Sequence, residues 1–294
     1  MNSTFRVSVI TDEIGQDLGR ALEVAAKEFG MEWVELRGMW DKNILRLDDK
    51  EIAEARKLLE RYHLRVSDLA TPLFKVDWPG APLNKSRAAA ARDTFAADFT
   101  FAQQEEVLER SLELARVFVV ERIRCFDYWR LDDPKPYREA MDAKLTDAAE
   151  KCGKKNVKLV LENEHECNSG TGAEALRTLK AVRSPHFMLN WDPGNAAALG
   201  DTPFPDSYER LPKERIGHVH CKDVARKADG TTDWACMGKG VIDWVGQFRA
   251  LKRDRYRLAV SLETHWRGAG TPEESSRQSW AGMKEQLRQA GALS

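Results

Sequence analysis

Short apolar runs, each followed by an amphipathic stretch, recur about eight times along the chain. No other feature constrains its fold as much. The runs are Arg6–Thr11, Trp33–Leu36, Val66–Ala70, Arg122–Phe126, a segment ending at Glu162, Phe187–Asp192, Ile216–His220 and Leu258–Glu263. Their length and β-branched content suit buried strands. Between them, apolar residues at helical spacing mark Leu18–Phe29 (closed by Gly30), Asp48–Tyr62, about Arg87–Val117, Pro136–Cys152 (ended by Gly153), Gly172–Val182, a helix from near Asp243, and Pro272–Ala290. Strands alternating with helices imply a parallel sheet, and eight units favour closure into a single (β/α)8 TIM barrel. No low-complexity linker divides residues 1–294, so one domain is the economical expectation.

Two connections are too long to be plain turns. TPLFKVDWPGAPLNKS, after the third strand, is a candidate lid, and Asp223–Gly240 carries an Asp229-Gly230 turn signal for a hairpin over the site. Phe74, Trp78, Tyr128 and Trp129 lie in loops after strands three and four, as an apolar wall or ordinary loop packing. The segment TDEIGQDL after the first strand lacks the Gly-rich turn of a dinucleotide fold, and neither a P-loop nor a nucleophile elbow occurs.

Composition narrows the function classes. A net charge of −1 with no long block of one sign argues against nucleic-acid or membrane binding by bulk charge. No apolar stretch is long enough to span a bilayer, and MNSTFRVSVITDE lacks a signal-peptide core. Five cysteines without a CxxC pair fit a reducing cytoplasm. A small-molecule substrate is the expected partner, and a homo-oligomer is compatible with the sequence.

The chemistry lies at the strand ends. Glu162, Asp192, His220 and Glu263 close four successive runs, 30, 28 and 43 residues apart. Side chains on a barrel strand alternate between helix layer and interior. In FMLNWD, Phe187, Leu189 and Trp191 share one face, which leaves Asn190 and Asp192 inward. The same parity turns His218, His220 and Lys222 inward, and likewise Ser261, Glu263 and His265. It cannot choose between Glu162 and Glu164; Glu162 is favoured because Asn163 begins a loop. Three carboxylates and an imidazole suit a divalent cation, Mn²⁺ or Mg²⁺ first and Co²⁺ or Zn²⁺ as alternatives. Buried carboxylates are too costly to accumulate without positive charge. Glu35 and Arg37, inward on the second strand, are substrate ligands or an ion pair. Lys222 reaches a substrate oxygen or sits at the rim, and Asn195 closes a turn or contacts substrate. His63 and His186 precede strands and read as structural.

With VELR, KLVLENEHE, LNWDPGNA, GHVHCKDV, MGKGVIDW and VSLETHW in place, nearly the whole chain resembles the xylose isomerase-like TIM barrel superfamily, in its sugar isomerase/epimerase branch. The resemblance implies the same metal ligands, with Glu162 and Glu263 as the acid/base pair. It implies proton transfer through a metal-bound enediolate of a sugar or keto-polyol, and it places Arg226 at the substrate. Asn168 and Asn195 stand where ketohexose 3-epimerases have a glutamate and a histidine. The runner-up is a dehydratase or lyase on the same site. An endonuclease-type repair enzyme would need more metal ligands, and a sugar-binding barrel without catalysis would not need two flanking glutamates.

Overall fold

A computed structural model describes residues 2–82 and 99–294. Its eight main strands are β1 (Arg6–Val9), β2 (Trp33–Leu36), β3 (Arg65–Leu73), β4 (Arg122–Cys125), β5 (Lys158–Glu162), β6 (Phe187–Trp191), β7 (Ile216–Cys221) and β8 (Ala259–Leu262). They form one parallel sheet in the order β1-β8-β7-β6-β5-β4-β3-β2. A parallel bridge between Ile10 and Glu35 brings the two edges together, so the sheet is a nearly closed TIM barrel. Closure removes the exposed edges that an open sheet would carry.

Most helices lie where periodicity places them: α2 (Asp49–Arg61), α3 (Gln104–Val117), α4 (Arg138–Gly153), α5 (Gly172–Ala181), α7 (Trp244–Arg253) and α8 (Pro272–Gln289). In α2, Ile52, Ala55, Leu58 and Leu59 face the sheet. Asp48 and Glu51 start it with a reciprocal capping box, and Thr171 and Glu174 do the same for α5. Such a cap stabilises a helix by about 1 kcal/mol.

Several elements depart from expectation. The first helix is α-helical only over α1 (Leu18–Glu23) and widens into a π-helical turn, Val24–Glu28, before left-handed Gly30. Strand β3 runs through Leu73, which pairs with Cys125, so its end lies inside the expected lid segment. Residues 83–86 of that segment and 87–98 of the expected helical stretch lie outside the described residues. After β6 the chain forms a short α6 (Pro193–Ala198), a broken turn at Pro203–Ser207 and a single helical turn at Tyr208–Arg210. Gly153 is the last residue of α4 and not a left-handed cap. A Cβ there would fall 2.2 Å from the His186 ring, so close packing requires the glycine, and Asn156 takes the left-handed turn at φ 58°.

The core lies between sheet and helices. Leu159, Leu161, Phe187, Leu189 and Trp191 are all fully buried, and the Trp191 indole donates to Gln247 of α7 at 3.0 Å. That packing turns Asn190 the other way, into the barrel, within 3.1 Å of His220. Among the described residues no helix is long and apolar enough to cross a membrane. Four of the five cysteines are buried.

Candidate metal centre

Glu162 ends β5, Asp192 follows β6 as the N-cap of α6, His220 is the fifth residue of β7, and Glu263 follows β8. One ligand-type atom from each lies within 4.8 Å of the others, and none of the four residues is more than 2% exposed. His220 Nδ1 stands 3.2 Å from Glu162 Oε1, 3.3 Å from Glu263 Oε2 and 3.7 Å from Asp192 Oδ2.

Each carboxylate is anchored through one oxygen and offers the other to this point. Arg124 holds Glu162 Oε2 at 2.9 Å, Arg37 holds Glu263 Oε1 at 3.0 Å, and the Asn195 backbone N–H holds Asp192 Oδ1 at 2.9 Å. Glu35 accepts from His220 Nε2 at 3.0 Å, which leaves Nδ1 facing the carboxylates. A carboxylate behind a ligating imidazole fixes ring orientation and raises basicity. Three convergent oxygens and one such nitrogen form a donor set that fits a divalent cation.

Positive charge already surrounds the ring. Lys222 Nζ lies 2.8 Å from Asp192 Oδ2 and 2.6 Å from Glu263 Oε2. Burial raises the Glu263 carboxyl, but Lys222, His265 and His220 outweigh it and hold the group well below the carboxylate range. Glu162 is lowered in the same way, against burial, by His220 and Arg124. Burial disfavours a charged His220, yet Glu35, Glu263 and Glu162 raise it well above a free imidazole.

The other expected site residues are distributed as follows. Arg37 reaches Asp12 at 3.0 Å and Glu13 at 2.6 Å as well as Glu263. Both Glu35 oxygens are engaged by buried imidazoles, His220 and His218 at 3.0 Å each, so Glu35 faces these rings and not an open pocket. Asn195 Nδ2 lies 3.2 Å from Glu162 Oε1 and 3.1 Å from Asp192 Oδ2. Arg226 is exposed, on a strand of the Asp223–Arg226/Thr232–Ala235 hairpin, outside the converging group. Glu164, which parity left open beside Glu162, is instead paired with His165 at 2.6 Å and Lys75 at 3.5 Å. Asn168 braces backbone, accepting from Leu131 N–H and donating to the Asp127 and Trp129 carbonyls. Phe74, Trp78, Phe101 and Tyr128 pack together, with Trp78 4.8 Å from Tyr128, while Trp129 is buried with Phe126 and Cys167.

Sequence reasoning missed Arg124, Asp12, Glu13, His165 and Trp234. The alternation in RIRC turns Arg124 to the interior and could have exposed it. Trp234 had no such signal, because its position depends on where the hairpin lies.

Comparison with known proteins adds to this geometry. SgbU of Escherichia coli K12, provisionally described as an L-ribulose-5-phosphate 3-epimerase, is 24% identical over 194 residues, covering 64% of this chain and 67% of SgbU. The structure of IolI with a bound zinc atom superposes with a TM-score of 0.74 at 17% identity, covering 99% of this chain and 100% of that one. The probable 3-DHS dehydratase AsbF of Bacillus anthracis gives a TM-score of 0.69 at 20% identity, covering 95% and 98%. The chain spans 45% of one longer neighbour, a fusion of such a barrel with 4-hydroxyphenylpyruvate dioxygenase. The family model for xylose isomerase-like TIM barrels matches residues 24–286, and the chain belongs to that family.

Proposed function

We propose that the chain is a divalent-metal-dependent isomerase or epimerase of a sugar or keto-polyol, acting by proton transfer next to a carbonyl. The observation that carries this reading is the pair Glu162 and Glu263. They stand at the ends of β5 and β8, each tethered by an arginine through one oxygen and facing the centre through the other, where Asn195 touches Glu162 and Lys222 touches Glu263. Two ionised carboxylates from different sides of one ring suit removal of a proton at one position and its return at another.

A divalent cation held by Glu162, Asp192, His220 and Glu263 would supply Lewis-acid polarisation of the substrate carbonyl. One of the two glutamates takes the carbon-bound proton, which leaves an enediolate, and the other delivers a proton to the opposite face or the neighbouring carbon. The Arg37 and Arg124 tethers weaken both bases but hold them within reach, and positioning lowers such a barrier by several kcal/mol. Lys222, with its ammonium beside Asp192 and Glu263, is placed to stabilise negative charge developing on a substrate oxygen. Where the substrate carries a β-leaving group, the same first step ends in elimination; the likeness to AsbF keeps this second reading.

Keto-sugars and inososes incubated in D₂O and followed by NMR test the proposal. The metal-stripped protein should give no carbon-bound deuterium, and Mn²⁺ or Mg²⁺ should restore it. Glu162→Gln should lose exchange while keeping its fold. Full exchange after exhaustive metal removal would sink the metal mechanism, and an alkene or its keto tautomer as sole product would move the chain to the lyases.

A further inference from the structure

The ring is closed from solvent: Glu162, Asp192, His220, Lys222 and Glu263 are each at most 2% exposed. The hairpin that leaves β7 one residue after Lys222 carries an indole over this closed site. Its strands Asp223–Arg226 and Thr232–Ala235 pair antiparallel, with Val224 opposite Trp234. The hairpin's base is fixed, because the Asp223 carboxylate accepts from the backbone N–H groups of Val224, Gly238 and Gly240, each at 3.0 Å. Its tip is an exposed turn at Asp229 and Gly230, with Gly230 at φ 84°.

The Trp234 ring centroid lies 5.0 Å from Lys222 Nζ, the ammonium that touches Asp192 and Glu263. Two imidazoles meet the indole edge-on: His165, from the loop after β5, at 5.7 Å, and His265, from the loop after β8, at 5.1 Å. These are the loops that follow the two proposed acid/base residues. His165 is bonded to Asn195 and His265 to Glu13, so the indole rests on groups that belong to the polar shell of the ring.

We infer that Trp234 is a substrate-binding cap: it leaves this seat to admit substrate and then lies against the substrate's C–H face. This rests on the reading of the site proposed above. The negative face of an indole attracts an ammonium and, by the same quadrupole, the weakly positive C–H groups of a sugar. A substrate oxygen that takes Lys222 removes the indole's cation, and the carbon skeleton that arrives with that oxygen replaces it. The cap therefore selects substrates that present a run of C–H groups on one side, as cyclic polyols and ring-form sugars do.

The test compares the full-length wild type with Trp234→Phe and Trp234→Ala. The first readout needs neither metal nor turnover: hydroxyl-radical labelling of the Lys222 side chain, followed by mass spectrometry. Removing the cap should speed Lys222 labelling by about tenfold or more in Trp234→Ala, and by no more than about threefold in Trp234→Phe. The second readout is deuterium exchange into substrate, where Trp234→Ala should raise KM about tenfold with a smaller change in kcat. Unchanged labelling in Trp234→Ala overturns the cap, and faster labelling with an unchanged KM overturns its contact with substrate. Should the proposed chemistry itself be wrong, the wild type shows no exchange, and the labelling result still decides whether Trp234 covers the site. Melting curves of both variants separate these outcomes from misfolding.

Discussion

The two ends of the barrel treat charge in opposite ways. At the N-terminal end, a cleft of about 630 Å³ is lined by Arg6, Trp33, Ser67, Arg122 and the exposed Val119. Arg6 and Arg65 cover the Trp33 ring at 4.7 and 4.1 Å. The ion pairs there are loose or solvated: Arg65 and Glu32 are both about 60% exposed, and Arg122 meets the largely exposed Glu121 at 3.4 Å. Exposed pairs of this kind contribute about 0–1 kcal/mol. At the C-terminal end the charges are buried, and both oxygens of Glu162, Asp192 and Glu263 have polar partners, although Asp12 Oδ1 has no hydrogen bond. Among the described residues, this cleft lies at one end and the convergent polar groups at the other. In a barrel with its strands in this direction, conserved chemistry belongs to the C-terminal end and the opposite face serves stability. Density of buried, mutually oriented polar groups, and not cavity size, is what favours the C-terminal end as the proposed site.

The strongest challenge to that comparison is Glu35→Gln. Glu35 sits below the ring, touches no open space, and holds both His218 and His220. If it acts by orienting His220, the variant should bind Mn²⁺ about 10- to 100-fold more weakly by calorimetry. Wild-type affinity would mean that the ring is self-supporting. At the other end, Trp33→Ala should cost about 2 kcal/mol of stability through lost apolar and cation–π contacts. Its Mn²⁺ affinity should stay within about twofold of wild type, a change of well under 1 kcal/mol. Loss of metal binding in this variant would show that the two ends are coupled, and would break the comparison.

What could be read from the chain follows from what periodicity carries. Alternation assigns a face, so FMLNWD already separates Trp191, bonded to Gln247 in the helix layer, from Asn190 and Asp192 in the interior. Apolar run length placed most strand ends within a residue or two. Periodicity does not say what stands across the barrel. The engagement of Glu35 by His218 and His220 depends on β2 and β7 meeting through the interior, residues 183 and 185 positions apart. Glu162 and Glu164 share a parity, and only the bend of the chain after Asn163 separates them, with Asn163 donating to the Gly170 and Asp192 carbonyls. Arg226 matches a motif position, yet the hairpin carries it to the surface. Trp234 looks like any loop tryptophan until the hairpin's path is known.

Burial at the C-terminal end need not always serve the ring. Asp127, in the loop after β4, is fully buried but bonds to Arg138 at 3.0 Å and to the Ser169 N–H at 2.9 Å, tying that loop to the one after β5. Burial pushes its carboxyl up to about 6, against the opposing pull of Arg138 and Ser169. In the unfolded chain the group titrates near 3.9, so between these values the folded protein binds the extra proton. Its stabilising contribution is therefore complete below about pH 3.9 and lost as pH rises through about 6, with a ceiling of about 3 kcal/mol. Denaturant unfolding of wild type and Asp127→Asn across this range checks it. The stability difference should move steadily against the wild type as pH rises, while Mn²⁺ affinity at neutral pH stays the same in both. A flat difference would mean that Arg138 fully compensates the buried charge. A shift in metal affinity would draw Asp127 into the ring's support, and buried charge at this end of the barrel would then belong to one network.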